Sequence, residues 1–362
     1  MKDNDMKVLV VMARHQTIDV SWFDGMKVRL DGQSLPYDGD PESVGRVVHE
    51  RVSSDESRAV DAIVTRARYG GIRFRDLAVW NEATDRALEQ IAPEAPLPVG
   101  ITRAQAASLQ AAFPDLPVWL AFETSFFADL PEREALYGLD PVFMTEHRIR
   151  RTGFHGWYHR AAVHAARSTA RRERSRTWSR ILSICLEPRP ELAAIRDGRP
   201  VMVTGGMTPF EGLPGESSCG DLDPSILLKV VDSGRLGPEQ LNQVAGEEGG
   251  LQALAGGPVT LEAVIRCDHA GLELAHTVWM ERLIRAVGAG IAALGGLDGV
   301  VFSGRYAGAG RWLEIGLRER LGQALEPSVM WGVSYFSERL DAVLAEPAIL
   351  KLMACGPVPE RT

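Results

Sequence analysis

A strand–turn–strand pattern occurs twice in this 362-residue chain. The apolar segment VLVVM is typical of a buried strand, the segment IDVSWF that follows it alternates like a second strand, and Asp24-Gly25 supplies the next turn. The second copy begins at Ile181 with ILSICL and continues with LAAI. Its turn, Asp197-Gly198, is as far from Ile181 as Asp24 is from Val8. We therefore expect a duplicated chain whose two halves each open on the same β-hairpin.

Strands and helices alternate through the rest of the chain. Short apolar runs predict strands at residues 62–65, 118–122 and 299–302, and three- and four-residue apolar spacing predicts helices at residues 81–91, 103–113 and, as one long helix, 262–294. This alternation indicates an α/β fold. The chain is longer than the ~250–300 residues at which a single core stops growing, so two domains are expected.

Composition and charge limit the possible partners. A formal net charge of −8 disfavours a nucleic acid, and no apolar run approaches the ~18 residues of a membrane span. The first residues, MKDNDMKVLVV, carry acids where a signal peptide has a basic segment, so we expect a cytoplasmic protein. The arginines of residues 147–180 are interpreted as a solvated helix face, with an anion-binding patch as the alternative.

Five motifs carry a resemblance to a known family. The most specific is TPFEGLPGESSCGDLDP at residues 208–224, which resembles the signature TPLEGLxMGTRxGxxDP of the acetate kinases. RTGFHGWYHR is similar to that family's YGFHGTSHR, TRARYGG to HRVVHGG, and VWLAFETSFF to the segment VFDTAFH. LGGLDGVVFSG resembles the strand and turn that open the family's adenosine pocket. The motifs occur in the family's order, so the chain is identified as a divergent member.

The resemblance implies a duplicated two-lobe actin-like α/β fold, that of the acetate and sugar kinase/actin superfamily. One lobe would comprise residues 1–123 with a C-terminal helix at 338–362, and residues 124–337 would form the adenosine-side, dimer-forming lobe. The implied activity transfers a phosphoryl group between ATP, with Mg²⁺, and a short-chain carboxylate, so that the ligand would be a small carboxylate or an acyl phosphate. The implied assembly is a homodimer.

The resemblance also assigns roles to individual residues. The implied catalytic residues are Arg66, Glu123 in place of an aspartate, and His155; the implied nucleotide-binding residues are Gly212, Gly304 and Asp223; and the implied magnesium carboxylate is Glu338. Other interpretations stay open: Arg66 as a surface ion-pair partner, and Glu338 as a surface helix residue. His155 and His159 have the i, i+4 spacing of a metal pair, but the glutamate of the HExxH zinc motif is missing.

Several positions depart from the family pattern. The second catalytic arginine of the signature falls on Ser218, and the phosphate-binding turn HLGNG is replaced by a sequence containing Glu187 and Pro188. The first hairpin reads VMARHQT where the family has NxGSSS. We therefore expect weak or altered phosphotransferase activity. The alternatives are a non-catalytic protein that binds a metabolite or protein partner, and transfer from a smaller donor such as pyrophosphate or acetyl phosphate.

Overall fold

The computed structural model describes residues 6–14, 16–25, 27–28, 32–52, 60–172, 178–208, 210–234, 236–324, 332–336 and 340–355. The chain divides into two compact units, one of Met1–Ala128 with Arg339–Thr362 and the other of Asp129–Glu338. Each unit has its own β-sheet.

The first unit is built on a seven-stranded sheet with β4 joined to β2 and the other strands in the order β3-β2-β1-β5-β7-β6. Its strands are β1 (Lys7–Ala13), β2 (Thr17–Asp24), β3 (Lys27–Val28), β4 (Gln33–Pro36), β5 (Ala62–Ala67), β6 (Ala78–Val79) and β7 (Val118–Phe122). Strands β1 and β2 form an antiparallel hairpin in which Val10 pairs with Ser21, whereas β1, β5 and β7 run parallel. The first predicted hairpin is confirmed.

Three helices of the first unit are α1 (Val44–Val52), α2 (Glu82–Ile91) and α3 (Pro96–Ala112). Helix α2 begins where the sequence predicted, because the Asn81 side chain accepts a hydrogen bond of 2.9 Å from Thr84 N and caps the first turn. Helix α3 begins seven residues before its predicted start at 103. Its extra turns contain Pro96 and Pro98, which a first helical turn tolerates because its N–H groups have no partner within the helix.

The second unit is built on a five-stranded sheet in the order β10-β9-β8-β11-β12. Its strands are β8 (Arg180–Cys185), β9 (Glu191–Arg196), β10 (Arg199–Val203), β11 (Gly299–Ser303) and β12 (Gly332–Phe336). Strands β8 and β9 form the second predicted hairpin, with Leu182 opposite Ala194. The turn at Asp197-Gly198 has φ of 52° and 82°, the left-handed pair that a tight hairpin turn requires.

Nine helices belong to the second unit within the described residues: α4 (Glu132–Ala135), α5 (Pro141–Glu146), α6 (Gly156–Arg172), α7 (Pro224–Asp232), α8 (Pro238–Gly246), α9 (Gly250–Ala255), α10 (Leu261–Arg266), α11 (Glu273–Leu294) and α12 (Gly310–Ala324). Helix α6 packs against β8, β11 and β12. It holds part of the arginine-rich segment, in which Arg171 is exposed, and residues 173–177 lie outside the described part.

The single long helix predicted over residues 262–294 is wrong. Helix α10 ends at Arg266, and Cys267 follows in a left-handed conformation with φ of 52°. A short 3₁₀ turn at Ala270–Leu272 then leads into α11. Both helices carry apolar residues at helical spacing, so the spacing alone did not reveal the break, although Gly271 lies in the connecting segment. The longer helix α11 packs Trp279, Leu283 and Val287 into the core of the second unit.

Helix α13 (Leu340–Cys355) returns the chain to the first unit, where it packs against β1, β2 and β5. Its residues Leu344, Ala348 and Ile349 are buried. No helix in the described part of the chain combines the length and the apolar character that crossing a membrane requires.

Candidate functional site

Arg66 and Glu123 come together in the first unit. Arg66 lies near the carboxyl end of β5, and Glu123 begins a 3₁₀ turn directly after β7. The two parallel strands are neighbours, with Arg66 opposite Ala121, so both side chains reach the same edge of the sheet. Arg66 Nε forms an ion pair with Glu123 Oε1, and the carboxylate side chain is only 1% exposed against 22% for the guanidinium side chain.

The turn next to this pair is fixed by its own polar contacts. Thr124, the residue after Glu123, accepts a hydrogen bond of 3.0 Å at Oγ1 from Gly70 N. A side chain at Gly70 would come within 2.6 Å of the Phe122 ring, so the Gly70-Gly71 pair lets the backbone pass close to β7. The glycine pair that supported the family resemblance therefore has a packing role.

His155 lies in the second unit, at the entrance to helix α6. Its ring Nε2 donates a hydrogen bond of 2.8 Å to the Arg189 carbonyl in the β8–β9 turn. Its backbone N–H donates to Glu191 Oε1 at 3.0 Å, and the N–H of Phe154 donates to Glu191 Oε2 at the same distance. The histidine is therefore held to the β8–β9 hairpin from both ends.

Glu191 is the centre of a buried polar chain that sequence reasoning missed. His159 Nε2 donates to Glu191 Oε1 at 3.0 Å, and His159 Nδ1 lies 2.7 Å from Ser183 Oγ. Burial by itself would raise the pKa of Glu191, but the hydrogen bond and charge of His159, with the contacts of His155, hold it below its ordinary value. A glutamate inside the apolar run ELAAI is the one sequence feature that could have indicated this role.

Ser218 occupies the position of the missing arginine, and its side chain is enclosed. The residue is 1% exposed, and Oγ has no hydrogen-bond partner among the residues the structure describes. Its carbonyl accepts a hydrogen bond of 2.9 Å from Gly215 N. A Cβ at Gly215 would lie 2.5 Å from Ser218 Oγ, so the two residues are in close contact.

The β8–β9 turn carries Glu187 and Pro188 where the family has the phosphate-binding turn HLGNG. Glu187 Oε1 accepts a hydrogen bond of 2.7 Å from Arg305 N, so a carboxylate takes a backbone N–H that an anionic ligand would need. Pro188 offers no N–H. Gly304, with φ of 92°, passes so close to Leu186 that a Cβ would lie 2.8 Å from its carbonyl oxygen. This turn is closed by the protein's own groups, in a place where a triphosphate would meet a carboxylate.

The other residues assigned to nucleotide and metal binding have structural roles or lie outside the described part. Gly212 has φ of 103°, and its N–H donates to Asp221 Oδ1 at 2.7 Å. Asp223 caps α7 by accepting a hydrogen bond from Ser225 N at 2.8 Å. Glu338 lies outside the described residues. Across the described residues, no three His, Cys, Asp or Glu side chains are grouped to hold a metal ion.

In the first hairpin, the turn between β1 and β2 is closed by Arg14. Its N–H donates to the Thr17 carbonyl at 2.7 Å, and its Nε pairs with Asp19 Oδ2 at 2.5 Å. His15, in the middle of this turn, lies outside the described residues.

The protein has the acetate kinase fold. It consists of two units, each with a β-hairpin, and the family motifs containing Arg66 and Glu123 lie at the ends of neighbouring strands. Solved structures with this fold include an acetate kinase from Porphyromonas gingivalis, with a TM-score of 0.78, 20% identity and coverage of 96% of this chain and 100% of that one. A propionate kinase from Francisella tularensis gives a TM-score of 0.80 and 18% identity over 94% and 98% of the two chains. The predicted fold class is confirmed.

Sequence comparison shows the family. A model of the acetokinase family matches residues 40–326. An acetate kinase from Streptomyces coelicolor is 32% identical over 253 residues, which cover 68% of this chain but 61% of that relative, less than two thirds of its length. An acetate kinase from Thermotoga petrophila is 27% identical over 82% of each chain. The chain belongs to the acetokinase family, as its motifs predicted.

Proposed function

We propose that this protein is a phosphotransferase with a carboxyl group as acceptor, acting on a short-chain carboxylate or its acyl phosphate, with slow turnover. The observation that carries the proposal is the pairing of Arg66 with Glu123 at the ends of two adjacent parallel strands. Phosphoryl transfer depends on positive charge held in place before the reaction. The Glu123 carboxylate fixes the orientation of the Arg66 guanidinium before any ligand binds.

The proposed catalytic residues are Arg66, Glu123 and His155. Arg66 would neutralise an oxygen of the phosphoryl group, and Glu123 would orient Arg66. By the family resemblance, His155 would act as a hydrogen-bond donor, for which its Nε2–H would leave the Arg189 carbonyl. The family resemblance further assigns nucleotide contacts to Gly212, Gly304 and Asp223, and a magnesium contact to Glu338.

Slow turnover with Mg-ATP follows from the second unit. Mg-ATP, when bound, would supply the phosphoryl group. Ser218 supplies no positive charge, and Glu187 places a negative charge in the turn that resembles a phosphate site. Loss of a comparable arginine costs ~10³–10⁵ in rate. On the family resemblance we also propose that the protein is a cytoplasmic homodimer.

One observation favours a second function, non-catalytic binding of a small metabolite or a protein partner. The Glu187 carboxylate of the β8–β9 turn already accepts a hydrogen bond from Arg305 N, so this N–H has a partner without a bound nucleotide. In this alternative the Arg66–Glu123 pair contributes to ligand binding or stability and not to turnover.

Acyl-hydroxamate formation from acetate or propionate and Mg-ATP tests the proposed function. Wild type should turn over below the ~1 per second at the low end of ordinary enzymes, and Arg66→Ala should reduce the rate at least tenfold further. The matched control is Arg86→Ala, which removes an exposed helix arginine from the same unit. Thermal melts of both variants separate loss of activity from loss of folding. No turnover in wild type, together with no calorimetric binding of acetyl phosphate, would leave only the second function.

A further inference from the structure

We propose that Arg189 provides the phosphoryl-binding positive charge of the second unit, in place of the arginine that is missing at Ser218. The inference relies on the proposed function for the identity of the ligand, a phosphate or acyl phosphate group. It rests otherwise on where the structure places Arg189 relative to Ser218 and His155.

Arg189 and Ser218 both lie against the same face of Gly215. A Cβ at Gly215 would lie 2.5 Å from Ser218 Oγ and 3.2 Å from Arg189 Cα. The backbone joins the same two segments, because Glu216 N donates a hydrogen bond of 2.7 Å to the Pro188 carbonyl. The β8–β9 turn is therefore packed directly on the segment that carries Ser218.

The Arg189 side chain extends to the Gly246 carbonyl. Its Nη2 donates a hydrogen bond of 3.2 Å to the Gly246 carbonyl, and Ser217 Oγ donates to the same oxygen at 3.0 Å. The guanidinium thus shares an acceptor with the residue next to Ser218. A positive charge from the β8–β9 turn therefore lies beside the segment on which the family signature carries an arginine.

Most of the Arg189 guanidinium donors are available to a ligand. Arg189 is exposed as a residue, burial around its guanidinium lowers its pKa, and its contact with Gly246 uses one of the five guanidinium donors. Among the described residues no carboxylate lies within ion-pair distance of this guanidinium, although the charge of Glu247 acts on it. The nearby carboxylates have other partners, since Glu187 accepts from Arg305 N and Glu191 from His155 N. A planar fork with free donors is suited to bind phosphate oxygens.

The backbone of Arg189 contacts the ring of His155. The Arg189 carbonyl accepts the hydrogen bond from His155 Nε2 at 2.8 Å, so the backbone of one candidate phosphoryl-contacting residue positions the ring of the other. The imidazole that the family resemblance assigns to the phosphoryl group is therefore held by the backbone of Arg189.

The test is calorimetric titration of the full-length protein with inorganic phosphate and, separately, with acetyl phosphate. Arg189→Gln removes the charge but keeps an N–H for the Gly246 carbonyl, and it should weaken binding of both probes at least tenfold. Arg189→Lys keeps the positive charge but not the planar guanidinium, so its affinity for both probes should lie between those of wild type and Arg189→Gln. Arg199→Ala, which removes an exposed arginine at the start of β10, is the matched control and should bind as wild type does.

Each outcome decides the inference. Unchanged phosphate binding in Arg189→Gln, no phosphate binding by wild type, or a loss seen only in Arg305→Ala would overturn it. Hydroxamate assays on the same proteins separate it from the proposed function. If wild type turns over and Arg189→Gln is equally active and binds phosphate equally well, the inference fails and the proposed function stands. If wild type does not turn over but Arg189→Gln still loses phosphate binding, the site stands and the proposed activity fails.

Discussion

Arg66 and Glu123 stand fifty-seven positions apart in the sequence and meet as an ion pair because β5 and β7 are parallel neighbours with Arg66 opposite Ala121. The family motif has an aspartate at position 123, and the extra methylene of the glutamate gives the carboxylate a longer reach. The result is a nearly buried carboxylate whose charge is balanced by a guanidinium that retains some contact with solvent.

Removing the charge of Glu123 should destabilise the first unit. Glu123→Gln should lower the free energy of unfolding by about 1–3 kcal/mol, because Arg66 loses the carboxylate that balances it. Urea denaturation measures this difference. The control is Glu82→Gln, whose carboxylate is 93% exposed and pairs with Arg86 along one helix turn, and which should cost less than about 0.5 kcal/mol. Equal losses for the two variants would contradict the structural role of the pair.

The Glu191 carboxylate should make stability depend on pH. Its pKa in the folded protein is below the ordinary value, so its contribution is fully present above that value and is lost as the pH falls through the folded pKa. Glu191→Gln should therefore be less stable than wild type at pH 7, by about 1–3 kcal/mol, with a difference that shrinks in acid. Urea denaturation from pH 7 down to about pH 3 measures the trend, because the folded pKa lies below the ordinary value of 4.5. Glu262→Gln, a partly exposed residue of α10, should show no comparable trend.

Gly304 should tolerate no side chain. Gly304→Ala places a Cβ 2.8 Å from the Leu186 carbonyl and forces alanine to adopt φ of 92°, so it should lower the free energy of unfolding by at least about 1–2 kcal/mol. Gly308→Ala is the matched control, since a Cβ there meets no atom within 4 Å and the φ is not positive. Thermal melts compare the two. A Gly304→Ala variant as stable as Gly308→Ala would show that this turn can relax.

Restoring the family's residues should raise acetate phosphorylation only in combination. Ser218→Arg alone should change the rate little, because Glu187 and Pro188 still oppose phosphate in the adjacent turn. Ser218→Arg combined with Glu187→Gly and Pro188→Asn should be faster than the single variant in the hydroxamate assay. Wild-type turnover within the ordinary range of ~1–10³ per second would contradict the slow turnover proposed for this protein.

Local sequence patterns were sufficient for most of the secondary structure. Both hairpins form where apolar strands precede an Asp-Gly turn, and β7 has the bounds predicted from its apolar run. These elements depend on short-range preferences: apolar runs that favour buried strands, and residues that tolerate positive φ. The order of the motifs was likewise enough to give the family and its fold class.

The sequence determined by itself which elements form and which family they belong to, because that information lies in residues close together along the chain. Only the tertiary structure decided which hydrogen-bond partners the individual polar groups have. Glu187 meets the N–H of Arg305, 118 positions away, and Glu191 meets His159, 32 positions away. Arg189 reaches Gly246 across 57 positions. A hydrogen bond depends on positions and directions in space, and strand pairing between distant segments sets both, so no spacing in the sequence reveals which groups will meet.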